Sequence, residues 1–112
     1  METINCKAYM VAIKFGTALC PLLNDLHSSE VLTDKSSLHA AVLDLANVLR
    51  QELSACAALT PEREVKLGFV ATELGHAETE ANLGNHHQAL GAAQRAAGYV
   101  NEVLVDVMAR MG

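Results

Sequence analysis

Apolar residues recur every three or four positions along four segments of this 112-residue chain, and this spacing constrains its fold more than any other feature. Such spacing places apolar side chains on one face of an α-helix, whereas a half-buried β-strand needs strict alternation. Only two prolines interrupt the chain, and aromatic residues, which strands favour, make up 4% of it. We therefore predict an all-α fold with an aliphatic core, in a single domain over residues 1–112.

Turn and capping residues divide the chain into four predicted helices, at residues 3–26, 35–58, 61–83 and 86–111. The clearest boundary is Thr60-Pro61, because a threonine N-cap followed by proline at the first helical position is a typical helix start. Gly84 and Asn85 predict a stop and a new cap between the last two helices. Short connections favour antiparallel neighbours, so we predict an antiparallel four-helix bundle.

The first predicted helix is apolar on most of its sides. Its main stripe is formed by Ile4, Ala8, Val11, Phe15, Ala18, Leu22 and Leu26. Further apolar residues lie off that stripe: Tyr9, Met10, Ala12, Ile13, Leu19 and Leu23. Pro21 removes a backbone donor and clashes with the preceding turn, which predicts a kink or a restart there. A helix of this kind needs more than one neighbour to cover it.

The predicted helices 1 and 4 carry more apolar surface than one small bundle can cover. Exposed apolar surface of this size usually marks a partner site. We therefore predict that the chain forms a homodimer or captures a partner helix. The predicted interface consists of Tyr9, Met10 and Ile13 on helix 1 and Val103, Val107 and Met108 on helix 4.

Glycines lie inside predicted helices 3 and 4, at positions 68, 75, 91 and 98. Each interior glycine costs about 0.5–1 kcal/mol relative to alanine, which favours a structural reason for keeping it. We predict a close approach of the two helices as that reason. Residues 84–97 resemble the second helix of a tetratricopeptide repeat, with Gly84, Ala89 and Ala96 at its small positions. The preceding helix lacks the repeat's aromatic and Leu-Gly signature, so the resemblance implies a tight helical hairpin only.

One short motif has the spacing of metal ligands. Glu73 and His76 form a Glu-x-x-His pair, with Glu80 one turn further along the helix. Ferritin-like metal sites need two such motifs and further carboxylates, whereas this chain has one, on the polar side of its helix. His86 and His87, at the start of helix 4, are the other candidates. No nucleophile motif or phosphate loop is present, so we predict no metal, no cofactor and no enzymatic activity.

Charge, hydropathy and cysteine content predict which partners the chain excludes and in which compartment it is located. The net charge is −5 and the eight Lys and Arg residues form no cluster, which argues against binding to nucleic acid. No apolar run is long enough to span a bilayer, and no secretory signal is evident. Cys6, Cys20 and Cys56 form no CxxC pair, and we expect them to be core residues in a reducing compartment. The predicted location is cytoplasmic.

These patterns predict a non-enzymatic helical interaction module, such as a small adapter, regulator or accessory chaperone. Its contact surface is apolar, and its predicted partner is a second copy of the chain or a partner helix. The alternative is a metal-binding or acid–base enzyme built on a helical bundle. That enzyme would use Glu73, His76 and Glu80.

Overall fold

The computed structural model describes residues 6–28 and 35–111 of the chain, and within them it forms four α-helices and no strand. The helices are α1 (Cys6–Ser28), α2 (Lys35–Ala55), α3 (Pro61–Asn82) and α4 (His86–Met111). They pack against one another as a bundle, which confirms the predicted all-α fold. The first residues of the predicted helix 1, including Ile4, lie outside the described residues.

The start of α3 is built as the sequence predicts. Thr60 has an extended backbone, and its Oγ1 accepts a hydrogen bond from the backbone N–H of Arg63 at 3.2 Å. Pro61 follows at the start of the helix, where a missing N–H has no consequence. Glu62 and Glu64 place negative charge in the first turn, beside the positive end of the helix dipole.

The ends of α2 and α3 share one C-terminal motif. Gly84 has φ 82° and its N–H bonds to the carbonyl of Ala81, while the N–H of Asn85 bonds to that of Glu80. At the end of α2, Ala57 takes the same left-handed position with φ 58°. Because alanine rarely adopts this backbone conformation, the sequence did not reveal the stop. Helix α2 therefore ends at residue 55, earlier than the predicted residue 58.

Helix α1 runs without a break through Pro21, so it does not restart there. The predicted stripe on this helix is partly wrong. Its buried residues are Ala8, Ala12, Phe15 and Leu19. Ala18, which was assigned to the stripe, is exposed. The apolar residues on α1 surround the helix so widely that spacing alone did not distinguish its two sides.

Three cross-helix contacts set the register of α3 against α4. They are Lys66 with Glu102 at 2.9 Å, Phe69 with Tyr99 at 5.4 Å between ring centroids, and Glu73 with Arg95 at 2.8 Å. As the residue number rises along α3 it falls by an equal amount along α4, so the two helices are antiparallel. The core contact between them is the most extensive in the bundle.

The other helices complete a ring in which α1 lies between α4 and α2, and α2 lies between α1 and α3. One groove joins Lys7 and Met10 of α1 to Glu52 of α2, and a second joins Ala18 of α1 to Ala41 of α2. Numbers again rise on one helix as they fall on the other, so α1 and α2 are antiparallel. Since α2 and α3 are joined by only five residues, neighbouring helices alternate in direction around the ring.

The interior glycines of α3 and α4 do not serve a close approach between these helices, contrary to the prediction. A Cβ added at Gly68, Gly75 or Gly98 would meet no atom within 4 Å, apart from its immediate surroundings in the helix. At Gly91 it would meet only the flexible end of Arg95, at 3.6 Å. All four lie away from the α3–α4 core contact, which is formed by alanine, leucine and valine.

Candidate interaction surface

The predicted interface residues divide into exposed and buried ones. Met10, Ile13 and Met108 expose 63%, 41% and 40% of their surface. Val103 and Val107 are completely buried in the core, so in this fold neither can contact a partner. The prediction is corrected at these two positions, because the wide apolar face of α4 gave no sign of where the core ends. The side chain of Tyr9 lies outside the described part of the structure.

Val105 extends the exposed apolar surface on α4, since 55% of its surface is exposed. The contacts of α4 with α3 are made by Tyr99, Glu102 and Asp106, along one edge of the helix. At 100° per residue, Val105 lies on the outer side of the helix, about 60° around it from Glu102, and Met108 lies on the opposite edge. Because α4 packs between α3 and α1, that edge borders α1.

Ile13 lies on the edge of α1 that borders α4. The opposite edge of α1 carries Lys14 and Ala18, which line the groove against α2. Because α1 and α4 run in opposite directions, the first half of α1 lies beside the last half of α4. Ile13 and Met108 therefore flank the α1–α4 seam, and Met10 and Val105 are exposed on the outer sides of the same two helices. We call these four residues the seam surface.

The seam surface adjoins a groove between the start of α1 and the end of α2. Its volume is about 460 Å³, and it is lined by Lys7, Met10, Val11, Glu52, Ala55 and Cys56. The thiol of Cys56 is half-buried there and donates to the carbonyl of Leu53 at 3.6 Å. Cys20 is exposed on α1 and forms no disulfide, so the expectation of core cysteines is wrong at this position. The side chain of Cys6 is outside the described set.

The candidate metal ligands are separated by their own contacts. Glu73 binds Arg95 with an Nε–Oε2 distance of 2.8 Å, and Glu80 accepts a hydrogen bond from the Asn85 amide at 2.9 Å. His76 is exposed, as are His86 and His87 at the start of α4. Among the described residues, no three His, Cys, Asp or Glu side chains are grouped so that they could hold a metal ion.

A buried arginine is the main polar feature that the sequence did not reveal. Arg63 is 2% exposed, and its Nε lies 2.8 Å from Oδ2 of Asp106. Its Nη1 donates to the carbonyl of Ala58 at 2.6 Å. A neighbouring cavity of about 610 Å³ is lined by Ala57, Thr60, Glu62, Arg63, Lys66, Glu102, Val103 and Asp106. The arginine side chain thus links the α2–α3 loop, the start of α3 and the last turns of α4.

No described helix carries an apolar stretch long enough to cross a bilayer. Comparison with known proteins gives no match, because no family model, curated protein or solved structure is significantly similar to the chain. Function is therefore inferred from the geometry of this chain.

Proposed function

We propose that this protein is a non-enzymatic interaction module that forms a homodimer through the seam surface. The observation that carries the proposal is the exposure of four large apolar side chains on α1 and α4. Ile13 and Met108 lie beside the seam between these helices, and Met10 and Val105 lie on their outer sides. Fully burying a side chain of this size contributes roughly 1.5–3 kcal/mol. Burial of several of them can offset the entropy lost on association.

A second copy is the partner proposed because it brings its own seam surface to the contact. In a twofold dimer the same patch is buried on both copies, so the total apolar area removed from water is twice that of one patch. The proposed location is cytoplasmic, and the exposed thiol of Cys20 supports it, since such thiols persist in reducing compartments.

The test compares Ile13→Glu with Val48→Glu by sedimentation equilibrium. Val48 is the matched control, because it exposes 43% of its surface against 41% for Ile13 and lies on α2, outside the seam surface. We expect Ile13→Glu to lower the weight-average mass at a given concentration, because the new carboxylate would lose its water in the contact. We expect Val48→Glu to leave that mass unchanged.

Two results contradict the proposal. One is a monomeric wild type up to hundreds of micromolar, and the other is an equal effect of the two substitutions. If Ile13→Glu loses its helical circular dichroism signal, Met108→Glu provides the same test from α4, where the side chain is 40% exposed.

A further inference from the structure

A second apolar feature lies on the outer face of the α3–α4 pair, away from the seam surface. Phe69 is 45% exposed and contacts the half-buried ring of Tyr99, with an interplanar angle of 48°. We call these two residues the aromatic pair. Val65 lies one turn before Phe69 and is 56% exposed. Aromatic residues are enriched at the centres of protein interfaces, and this chain has only four of them.

Four charged side chains surround the aromatic pair. Lys66 and Glu73 lie on α3, about 10.5 Å apart at 1.5 Å per residue, and Arg95 and Glu102 lie on α4 at the same separation. Lys66 pairs with Glu102 on one side of the rings, and Glu73 pairs with Arg95 on the other. We call these four residues the charge square. Its sign alternates from corner to corner.

This arrangement is complementary to itself. Consider a second copy packed face to face on α3 and α4 by a twofold axis that lies in the interface and runs perpendicular to the helices. Helix α3 then packs on the partner's α3 in the opposite direction. The corner of Lys66 then lies over the corner of Glu73, and that of Glu102 lies over that of Arg95. Rotation about an axis parallel to the helices instead places Lys66 over Glu102 and Glu73 over Arg95. Both arrangements bring opposite charges together and place the aromatic pairs in contact.

We propose that the α3–α4 face is a second contact surface between copies of this chain, with the aromatic pair at its centre and the charge square around it. The face is large enough for this role. Helix α3 has 22 residues, about 33 Å, and two packed helices present a width of about 20 Å. The resulting area of about 660 Å² lies in the lower part of the roughly 600–1,000 Å² per partner that specific interfaces bury.

The sharpest test inverts all four charges at once, in the variant K66E/E73R/R95E/E102K. Both ion pairs within the chain are kept with their direction reversed, so the fold is expected to persist. The inverted square is again complementary to itself, but it presents like charges to the wild-type square. Placing Ile13→Glu in both proteins removes the seam surface, so that association through α3 and α4 is measured alone.

The measurement is energy transfer between the two proteins, labelled with donor and acceptor dyes and mixed at increasing concentrations. We expect each protein to associate with itself, and the mixed complex to be weaker by about tenfold or more, because like charges across an interface are strongly disfavoured. Equal mixed and self association overturns the proposal, as does the absence of self-association up to millimolar concentration.

A single substitution keeps the proposal testable if the inverted variant does not fold. Phe69→Asp should abolish association in the Ile13→Glu background and leave the helical signal intact, because Phe69 is 45% exposed. Val48→Asp, with a similar exposure on α2, is the control. Equal effects of the two substitutions contradict the proposed surface. The seam surface is tested separately, by comparing Ile13→Glu with Val48→Glu in the otherwise wild-type protein. Either proposal can therefore fail while the other stands.

Discussion

The Nε of Arg63 lies 2.8 Å from Oδ2 of Asp106, and this ion pair joins the first turn of α3 to the last turns of α4. The arginine is 2% exposed whereas the aspartate is 38% exposed, so the positive charge is the one removed from water. A second bond, to the carbonyl of Ala58, holds the loop between α2 and α3. One buried side chain therefore holds three elements at the same end of the bundle.

Replacing Arg63 with methionine should destabilise the protein by about 2–4 kcal/mol, because Asp106 and the Ala58 carbonyl both lose their partner. The measurement is urea unfolding followed by circular dichroism. The matched control is Lys66→Met, which breaks an ion pair with side chains 41% and 54% exposed. That change should cost less than about 1 kcal/mol. Similar losses of unfolding free energy in the two variants would contradict the expectation that the buried ion pair is the more costly one to break.

Ala57 and Gly84 occupy the same left-handed position at the ends of two helices. Ala57→Gly and Gly84→Ala should therefore change the free energy of unfolding in opposite directions. Ala57→Gly relieves strain of about 1–2 kcal/mol, partly offset by the greater freedom of glycine in the unfolded chain. We expect a net gain in unfolding free energy of about 0.5–1 kcal/mol. Gly84→Ala, with open space around its Cβ, should lose about 1 kcal/mol. Effects of the same sign in thermal unfolding would contradict this explanation.

Gly75 lies inside α3, is exposed, and has no atom of another helix within 4 Å of its Cβ position. Gly75→Ala should therefore stabilise the protein by about 0.5–1 kcal/mol, because alanine loses less backbone freedom on folding. The reverse change at a neighbouring exposed site, Ala71→Gly, is expected to destabilise it by a similar amount. Chemical unfolding of both variants measures the difference. A loss of stability in Gly75→Ala would indicate that this position has a contact.

Local signals in the sequence predicted the elements of the fold well. The spacing of apolar residues predicted all four helices, and Thr60-Pro61 and Gly84 marked boundaries that the structure confirms. These features depend on only a few neighbouring residues, since a cap or a turn is formed by the backbone beside it. The stop at Ala57 was missed because alanine carries no such signal.

The sides of the helices were harder to predict than their positions along the chain. On α1 the spacing placed Ala18 in the core and Leu19 outside it, and the structure reverses both. On α4 it placed Val103 and Val107 at an interface, although the core covers them. When a helix is apolar on most sides, its hydrophobic pattern does not define which side meets its neighbours.

The sequence by itself determined that the chain forms four helices and where α3 and α4 begin, because capping and apolar spacing act over one or two turns. Only the tertiary structure decided what is brought together across α3 and α4. The burial of Arg63 against Asp106, and the charge square around Phe69 and Tyr99, depend on residues more than 20 positions apart along the chain. Their proximity follows from the register of two packed helices, which no local pattern contains.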